Sequence, residues 1–221
     1  MPTKLIQGLQ KLNFPQEQIE RLAPLMESYI SELVLFNSAY NLVNTNDREE
    51  IAVRHILDSL SATRHIKALA DERAATIADI GSGGGLPGIP LAAALPQYNF
   101  VLVERMSKRC AFLENASAIL GLKNVVVKNL ELEKTPAASF DIATFRAFRP
   151  LDNKMLKSLL AVLKPGGFLA AYKARGSKIL EEMGALGHVP QDYKTIALEV
   201  PFLTDTNSSD DRERNLVVIS K

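Results

Sequence analysis

The chain has 221 residues, 47% of them hydrophobic and 23% charged, enough for one or two domains with a sizeable core. A formal net charge of +1 excludes a global attraction to nucleic acid or membrane, so any polyanion site must be a local cluster. A single cysteine, Cys110, excludes an internal disulfide and an all-cysteine metal site; with no membrane-length apolar run and no secretory pattern in the first ten residues, a bacterial-type cytoplasmic protein is expected.

Residues 3–40 read as helix by period. Leu5, Ile6, Leu9 and Leu12 mark one apolar stripe, and Ile19, Leu22, Leu25, Met26, Tyr29, Ile30 and Leu33 a second, separated by Asn13 and Pro15. Pro24, inside the second stripe, should kink that helix or open its first turn. No strand signal precedes Ala75, so residues 1–70 are expected to form a helical cap on an α/β domain of residues 71–221. Near the cap's end, His55 and Asp58 lie three apart and would share a helix face, where they interact or Asp58 merely orients a packed histidine. Three histidines without clustered carboxylates do not suggest a metal site, and none is expected.

The next stretch, Ala75 to Pro90, organises the chain. A β-rich run, Thr76 to Ile80, stops at Gly81, and three of the next four residues are glycine before Leu86 and Pro87 open an apolar helix. Glycines are needed where backbone passes close under a ligand or takes positive φ, and a helix N-terminus beyond them offers unpaired N–H groups. Gly83, Gly85 and Gly88 satisfy the dinucleotide G-x-G-x-x-G spacing, which leaves an NAD-dependent oxidoreductase as an alternative, but that set begins two residues late relative to the strand end. Asp79-x-Gly81-x-Gly83-x-Gly85 fits better. It resembles the first motif of class I S-adenosylmethionine-dependent methyltransferases, in which the acidic residue and the loop backbone hold the amino acid end of the cofactor.

A buried strand, Phe100 to Val103, then ends in Glu104, where an acidic residue accepts hydrogen bonds from ribose hydroxyls in βαβ nucleotide sites. Ser107 suits the cap of the next helix, which carries Cys110 as a packing residue; strands are expected at Val125 to Val127 and Phe140 to Thr144. A helix over Leu156 to Leu163 precedes a strand over Phe168 to Tyr172 that ends at Lys173. After a helix over Leu180 to Leu186, closing strands are expected at Leu198 to Leu203 and Leu216 to Ile219. The alternation predicts a doubly wound, mostly parallel sheet with an antiparallel edge hairpin. Arg146 would stand at a carboxyl strand end, where its guanidinium suits a cofactor carboxylate, an RNA phosphate or a structural ion pair.

Over nearly its whole length the chain resembles the ribosomal small-subunit methyltransferase G family, also called glucose-inhibited division protein B. The resemblance rests on Tyr40-Asn41-Leu42, the Arg54-His55-Ile56-Leu57-Asp58-Ser59 box, Asp79 through Pro90, Lys108-Arg109 with Phe112-Leu113, Phe140-Asp141, Arg146-Ala147, Lys173 and Arg214 through Ile219. It implies a Rossmann-like, seven-stranded class I fold, S-adenosyl-L-methionine as cofactor, and N7 of a guanine in 16S ribosomal RNA, free or in the small subunit, as methyl acceptor. Cofactor contacts are implied at Asp79, Gly81, Gly83, Gly85, Leu86, Glu104, Leu130, Glu131 and Arg146. Arg146 and Lys173 would carry catalysis, with Lys173 beside the target base and Arg149 and Arg175 adding phosphate contacts. Phe36, Phe145 and Ala174 stand where the family usually has tryptophan, serine and glycine.

The local chemistry agrees with N7. No Asp/Asn-Pro-Pro-aromatic box for an exocyclic amine follows the fourth strand, which reads Phe145-Arg146-Ala147-Phe148, and Cys110 is far from the strand ends. Guanine N7 has a lone pair and no proton to lose, so alignment and exclusion of water suffice. A monomer without membrane association is expected; a nucleotide- or RNA-binding module without catalysis is the non-enzymatic alternative.

Overall fold

A computed structural model of the protein describes residues 2–71, 74–146, 151–186, 193–204 and 212–221. Five helical segments come first: α1 (Thr3–Lys11), α2 (Gln16–Tyr40), α3 (Arg48–Ile51), α4 (Asp58–Ser61) and α5 (Thr63–Ala70). The apolar stripes form α1 and α2, and α2 continues through Pro24 rather than starting there. It ends at Asn41, in the left-handed region, where Asn37 Oδ1 accepts from the amides of Leu42 and Val43 (2.9 Å each) and turns the chain toward the sheet. Asp47 caps α3 through the amide of Glu50 (2.7 Å), and one π-helical turn, Ala52–Leu57, joins α3 to α4.

Seven strands follow: β1 (Thr76–Ile80), β2 (Asn99–Glu104), β3 (Val125–Asn129), β4 (Phe140–Arg146), β5 (Leu163–Lys173), β6 (Tyr193–Ala197) and β7 (Asn215–Ser220). Their order is β3-β2-β1-β4-β5-β7-β6, with β7 antiparallel to both neighbours and the other pairings parallel. Alternate residues feed two cores. Ile77, Phe100, Leu102 and Ile142 join the helices of residues 3–70 together with α6 (Gly88–Ala94) and α7 (Ser107–Ile119). Ala78, Ile80, Ala143 and Phe145 join α8 (Asn153–Val162) and α9 (Gly176–Gly184) on the other face. Strand order reverses between β1 and β4, and the carboxyl ends of those strands are where open α/β sheets bind ligands.

Three local expectations are corrected. Leu198 to Leu203 is not a strand: Leu198, Val200 and Leu203 are buried in an irregular, turning segment, and the sixth strand is the more polar Tyr193–Ala197 just before it. Ser107 opens α7 without capping it, since its hydroxyl donates to Asn129 Oδ1 (2.9 Å). The fifth strand starts at Leu163, not at Phe168, so Lys164 to Gly167 lie within β5, where the pairing with β4 shifts register between Phe140 and Ile142. Among the described residues no helix is long and apolar enough to cross a membrane, and no cluster of three or more His, Cys, Asp or Glu is arranged to hold a metal ion.

Candidate functional site

The loop after β1 takes its shape from its glycines and from what lies beneath it. Gly81, Gly83 and Gly85 adopt φ of 69°, 58° and 86°, a region that costs side-chain-bearing residues about 1–2 kcal/mol. The amides of Gly81 and Ser82 both donate to the Val103 carbonyl (2.8 and 3.1 Å), which ties the loop to β2. Asp79 sits behind the loop, fully buried: its Oδ2 accepts from Ser82 Oγ (2.6 Å) and the Gly88 amide (3.0 Å). Burial pushes its carboxyl up to about 6, against those two hydrogen bonds and the charge of Arg146. A Cβ on Gly88 would stand 2.7 Å from Asp79 Oδ2, and one on Gly85 2.8 Å from the Tyr29 hydroxyl. That hydroxyl donates to the Gly84 carbonyl, so α2 props the loop from below.

A cleft of about 620 Å³ opens above the loop, within the roughly 300–1,000 Å³ of small-molecule sites. Gly81, Gly83 and Leu86 form one wall; Glu104, Leu130, Glu131 and Arg146 line it from the ends of the next strands. Glu104 is buried, and its carboxylate divides between two amides, Oε2 accepting from Gly83 and Oε1 from Met106 (2.9 Å each). Each oxygen keeps further lone-pair capacity, which is what a pair of ribose hydroxyls requires. Arg109 Nε, buried without a partner among the described residues, belongs to another lining residue. The volume, the acidic strand end and this orphaned donor together fit a nucleoside-bearing ligand.

The sequence-predicted residues do not all reach this cleft. Asp79 and Gly85 do not line it: Asp79 lies behind the loop, its Oδ2 holding Ser82 and Gly88 and its Oδ1 buried without a partner among the described residues, and Gly85 is turned onto Tyr29 and Ile89. Since Gly85 is the middle glycine of the dinucleotide spacing, the one such a loop brings against its ligand, that alternative loses its carrier. Leu42, Val43, Asn44, His55, Met106 and Arg109 are lining residues to which the sequence reading gave no ligand. For Leu42, His55 and Arg109 a signal existed, since all three lie in segments that carry the family resemblance.

A second cavity, about 370 Å³, shares His55 and Arg146 with the first and is also lined by Phe145, Tyr172, Lys173, Ala174 and Arg214. His55 and Asp58 meet at Arg146. Arg146 Nη1 donates to Asp58 Oδ2 (2.8 Å) and Nη2 to His55 Nδ1 (3.1 Å), and the ion-paired side chains are 15% and 5% exposed. The structural ion pair is thus present, in a residue that also borders both cavities. Burial, then the charges of Arg146, Arg54 and Arg214, lower the His55 pKa to about 3. Lys173 is held by Glu182 of α9 (2.7 Å to Oε2) and stands 5.3 Å from the centre of the Phe145 ring. Glu182, which also accepts from the Leu151 amide, was not anticipated. Tyr172 donates to the Ser59 carbonyl (2.7 Å), which fixes it as a wall rather than a mobile stacking partner. Arg175 lies outside both cavities, on a smaller one with Lys173, Lys178 and Glu182, and Arg149 lies outside the described residues.

The family model for GidB, described as rRNA small subunit methyltransferase G, matches residues 22–216. A ribosomal RNA small subunit methyltransferase G from Treponema denticola is 39% identical, covering 98% of this chain and 93% of the relative. One from Neisseria meningitidis serogroup A is 36% identical over 88% and 86%. Among solved structures, a precorrin-6y C5,15-methyltransferase from Geobacter metallireducens superposes with a TM-score of 0.55 at 11% identity, covering 83% of this chain and 91% of the other. A SAM-dependent methyltransferase from Aquifex aeolicus gives 0.52 at 16%, covering 74% and 92%. Those two likenesses establish the class I methyltransferase fold. The sequence matches run through the glycine loop, the second strand end and the histidine box alike, and the chain belongs to the rRNA small subunit methyltransferase G family.

Proposed function

We propose that this protein transfers the methyl group of S-adenosyl-L-methionine to N7 of a guanine in 16S ribosomal RNA, free or in the small ribosomal subunit, and that it works as a cytoplasmic monomer. The observation that carries the reading is the pair of adjoining cavities: one suits a nucleoside-bearing cofactor, the other has aromatic and cationic walls suited to a base, and His55 and Arg146 border both. Residues 1–70 act in this reading as a cap over the methyltransferase domain of residues 71–221.

When bound, the cofactor supplies an electrophilic methyl group on sulfur. Glu104 would accept from its ribose hydroxyls, Leu130 and Glu131 would contact the adenine, and Gly81, Gly83 and Leu86 would supply one wall, with Asp79 and Gly85 acting indirectly by shaping the loop. Lys173, steadied by Glu182, would lie beside the base, and Arg175, together with Arg149 by its sequence position alone, is assigned to phosphates. No residue needs to remove a proton, because N7 carries none. That suits the site: His55 has both ring nitrogens engaged, and Cys110, which lies against the end of β2 rather than far from the strand ends as expected, is a buried thiol donating to the Glu104 carbonyl (3.2 Å), its pKa raised first by burial.

The direct test is to map N7-methylguanine in ribosomal RNA from cells with and without the gene, then restore the mark in vitro with purified protein and cofactor. A mark at one guanine that vanishes with the gene is expected. Unchanged N7 methylation, or a lost mark on another atom, refutes the assignment.

A further inference from the structure

The guanidinium of Arg146 enters a socket supplied by one short stretch of chain. Besides Asp58 and His55, Arg146 Nη1 reaches the Arg54 carbonyl (3.2 Å). Arg54 lies in the π-helical turn Ala52–Leu57, where the regular i→i+4 ladder is displaced. The neighbouring His55 carbonyl likewise accepts from a side chain, Ser59 Oγ (2.6 Å).

The histidine's tautomer follows from its partners. A guanidinium has only donors, so His55 Nδ1 must present its lone pair, and the proton resides on Nε2, which faces Asn44 Oδ1 at 3.3 Å. The charged groups around the ring are Arg146 from β4, Arg54 from its own turn and Arg214 from the segment before β7. Asp58 lies beyond Arg146, with its second oxygen 3.5 Å from Arg214 Nε. Three bonds use three of the five N–H groups of Arg146, leaving two without a bond among the described residues.

We propose that His55 and Asp58 are positioning residues for methyl transfer that act through Arg146, fixing its guanidinium between the two cavities so that its two remaining N–H groups set cofactor and base in register. The proposal rests on the reading of the two cavities given above. His55 serves as an acceptor of fixed tautomer, neither a base nor a filler, and Asp58 supplies the balancing charge. Because both residues belong to the segment that crosses from α3 to α4, the helical region sets the distance between cofactor and base.

The experiment compares His55→Asn with His55→Phe. Asparagine keeps an oxygen acceptor on Cγ, near the place of Nδ1, while phenylalanine keeps the ring volume and loses the acceptor. Positioning predicts that the single-turnover methylation rate on ribosomal RNA falls by up to about 10²-fold in His55→Phe and clearly less in His55→Asn. A packing role predicts the reverse order, and a rate for His55→Phe equal to or above that of His55→Asn overturns the proposal. The second readout needs no RNA. Imidazole ¹⁵N resonances of the wild-type protein should show a bare Nδ1 and a protonated Nε2 from about pH 5 to 8, and Arg146→Met should move the ring's titration up toward about 6.5. A proton on Nδ1, or a wild-type ring that already titrates near 6.5, overturns it equally. If no variant and no wild-type protein methylates ribosomal RNA, the function is wrong and the ring spectra still decide the socket.

Discussion

The cleft proposed for the cofactor and the cavity proposed for the base are built by different means. The first is largely backbone: a glycine loop, two amides gathered by Glu104, and an aspartate locked behind them by Ser82 and Gly88. The second is made of long side chains held in buried or half-buried ion pairs, Arg146 with Asp58 and Lys173 with Glu182. Backbone geometry is written into a contiguous stretch of chain. Ion pairs depend on residues up to 88 positions apart, so the second cavity is specified only once the chain has folded.

The contrast can be broken hardest at Asp58. Asp58→Ala leaves Arg146 with only the neutral Arg54 carbonyl and His55 ring and no balancing charge beside Arg214, and removing one partner of a buried pair costs about 3–5 kcal/mol. Denaturant unfolding should show a loss of that size; a loss below about 1 kcal/mol would mean that the pair is solvated like a surface contact.

Glu104→Ala attacks the other side. It removes a charged acceptor from the cleft, so affinity for S-adenosyl-L-methionine should weaken by about 1–3 kcal/mol in titration calorimetry. Because the same carboxylate holds the Gly83 and Met106 amides, a melting-temperature decrease should accompany it. A folded variant with unchanged cofactor affinity removes Glu104 from the site.

The pH dependence sharpens the comparison, since each side contributes one shifted group of opposite sign. The His55 pKa, lowered to about 3, means that the unfolded chain takes up a proton below about pH 6.5 that the folded protein refuses; this group's stability contribution falls on acidification, by at most about 1.4 kcal/mol per pH unit. Asp79, raised to about 6, binds its proton earlier in the folded state, so its contribution rises as pH falls from about 6 to 4. The two offset each other in that interval. His55→Asn should therefore gain stability relative to wild type between about pH 6 and 4, and parallel curves for the two proteins would show that His55 is not shifted. The single-turnover rate should stay nearly flat from about pH 6.5 to 8.5, since His55 does not titrate there and Asp79, which finishes its titration at the lower end, takes no part in proton transfer.

The smallest expected effect is at Arg175, on the rim beyond the base-side cavity. Arg175→Ala should lower the salt slope of RNA binding by about one counterion and leave cofactor affinity alone. An unaltered slope would confine RNA contacts to the inner cations.

What the sequence made legible follows the same division. The strand, the glycine turn and Glu104 form a local pattern, and six of the seven strands were found because each carries a short apolar run, the exposed edge strand Val125–Asn129 included. Tyr193–Ala197 was missed because this edge strand, unlike the valine-rich one at the opposite edge, has no continuous apolar run, while Leu198, Val200 and Leu203, buried without being extended, imitate one. Asp79 was identified as a key residue but not as one facing away from the cleft. That orientation depends on the Ser82 hydroxyl and the Gly88 amide competing for its oxygens, which no spacing rule encodes. Glu182 was invisible for a like reason, its partner Lys173 lying on another element.

The Tyr29 hydroxyl under the Gly84 carbonyl has a consequence for anyone wishing to borrow this binding loop. Residues 76–104 look portable, a self-contained cassette of strand, turn, helix and strand that another sheet ought to accept. The contact that props the turn comes from a helix 55 positions earlier in the chain. A graft of the cassette alone would carry the glycines and leave behind the phenol against which they are folded, and the transplanted loop would be free to sag into the space a ligand needs.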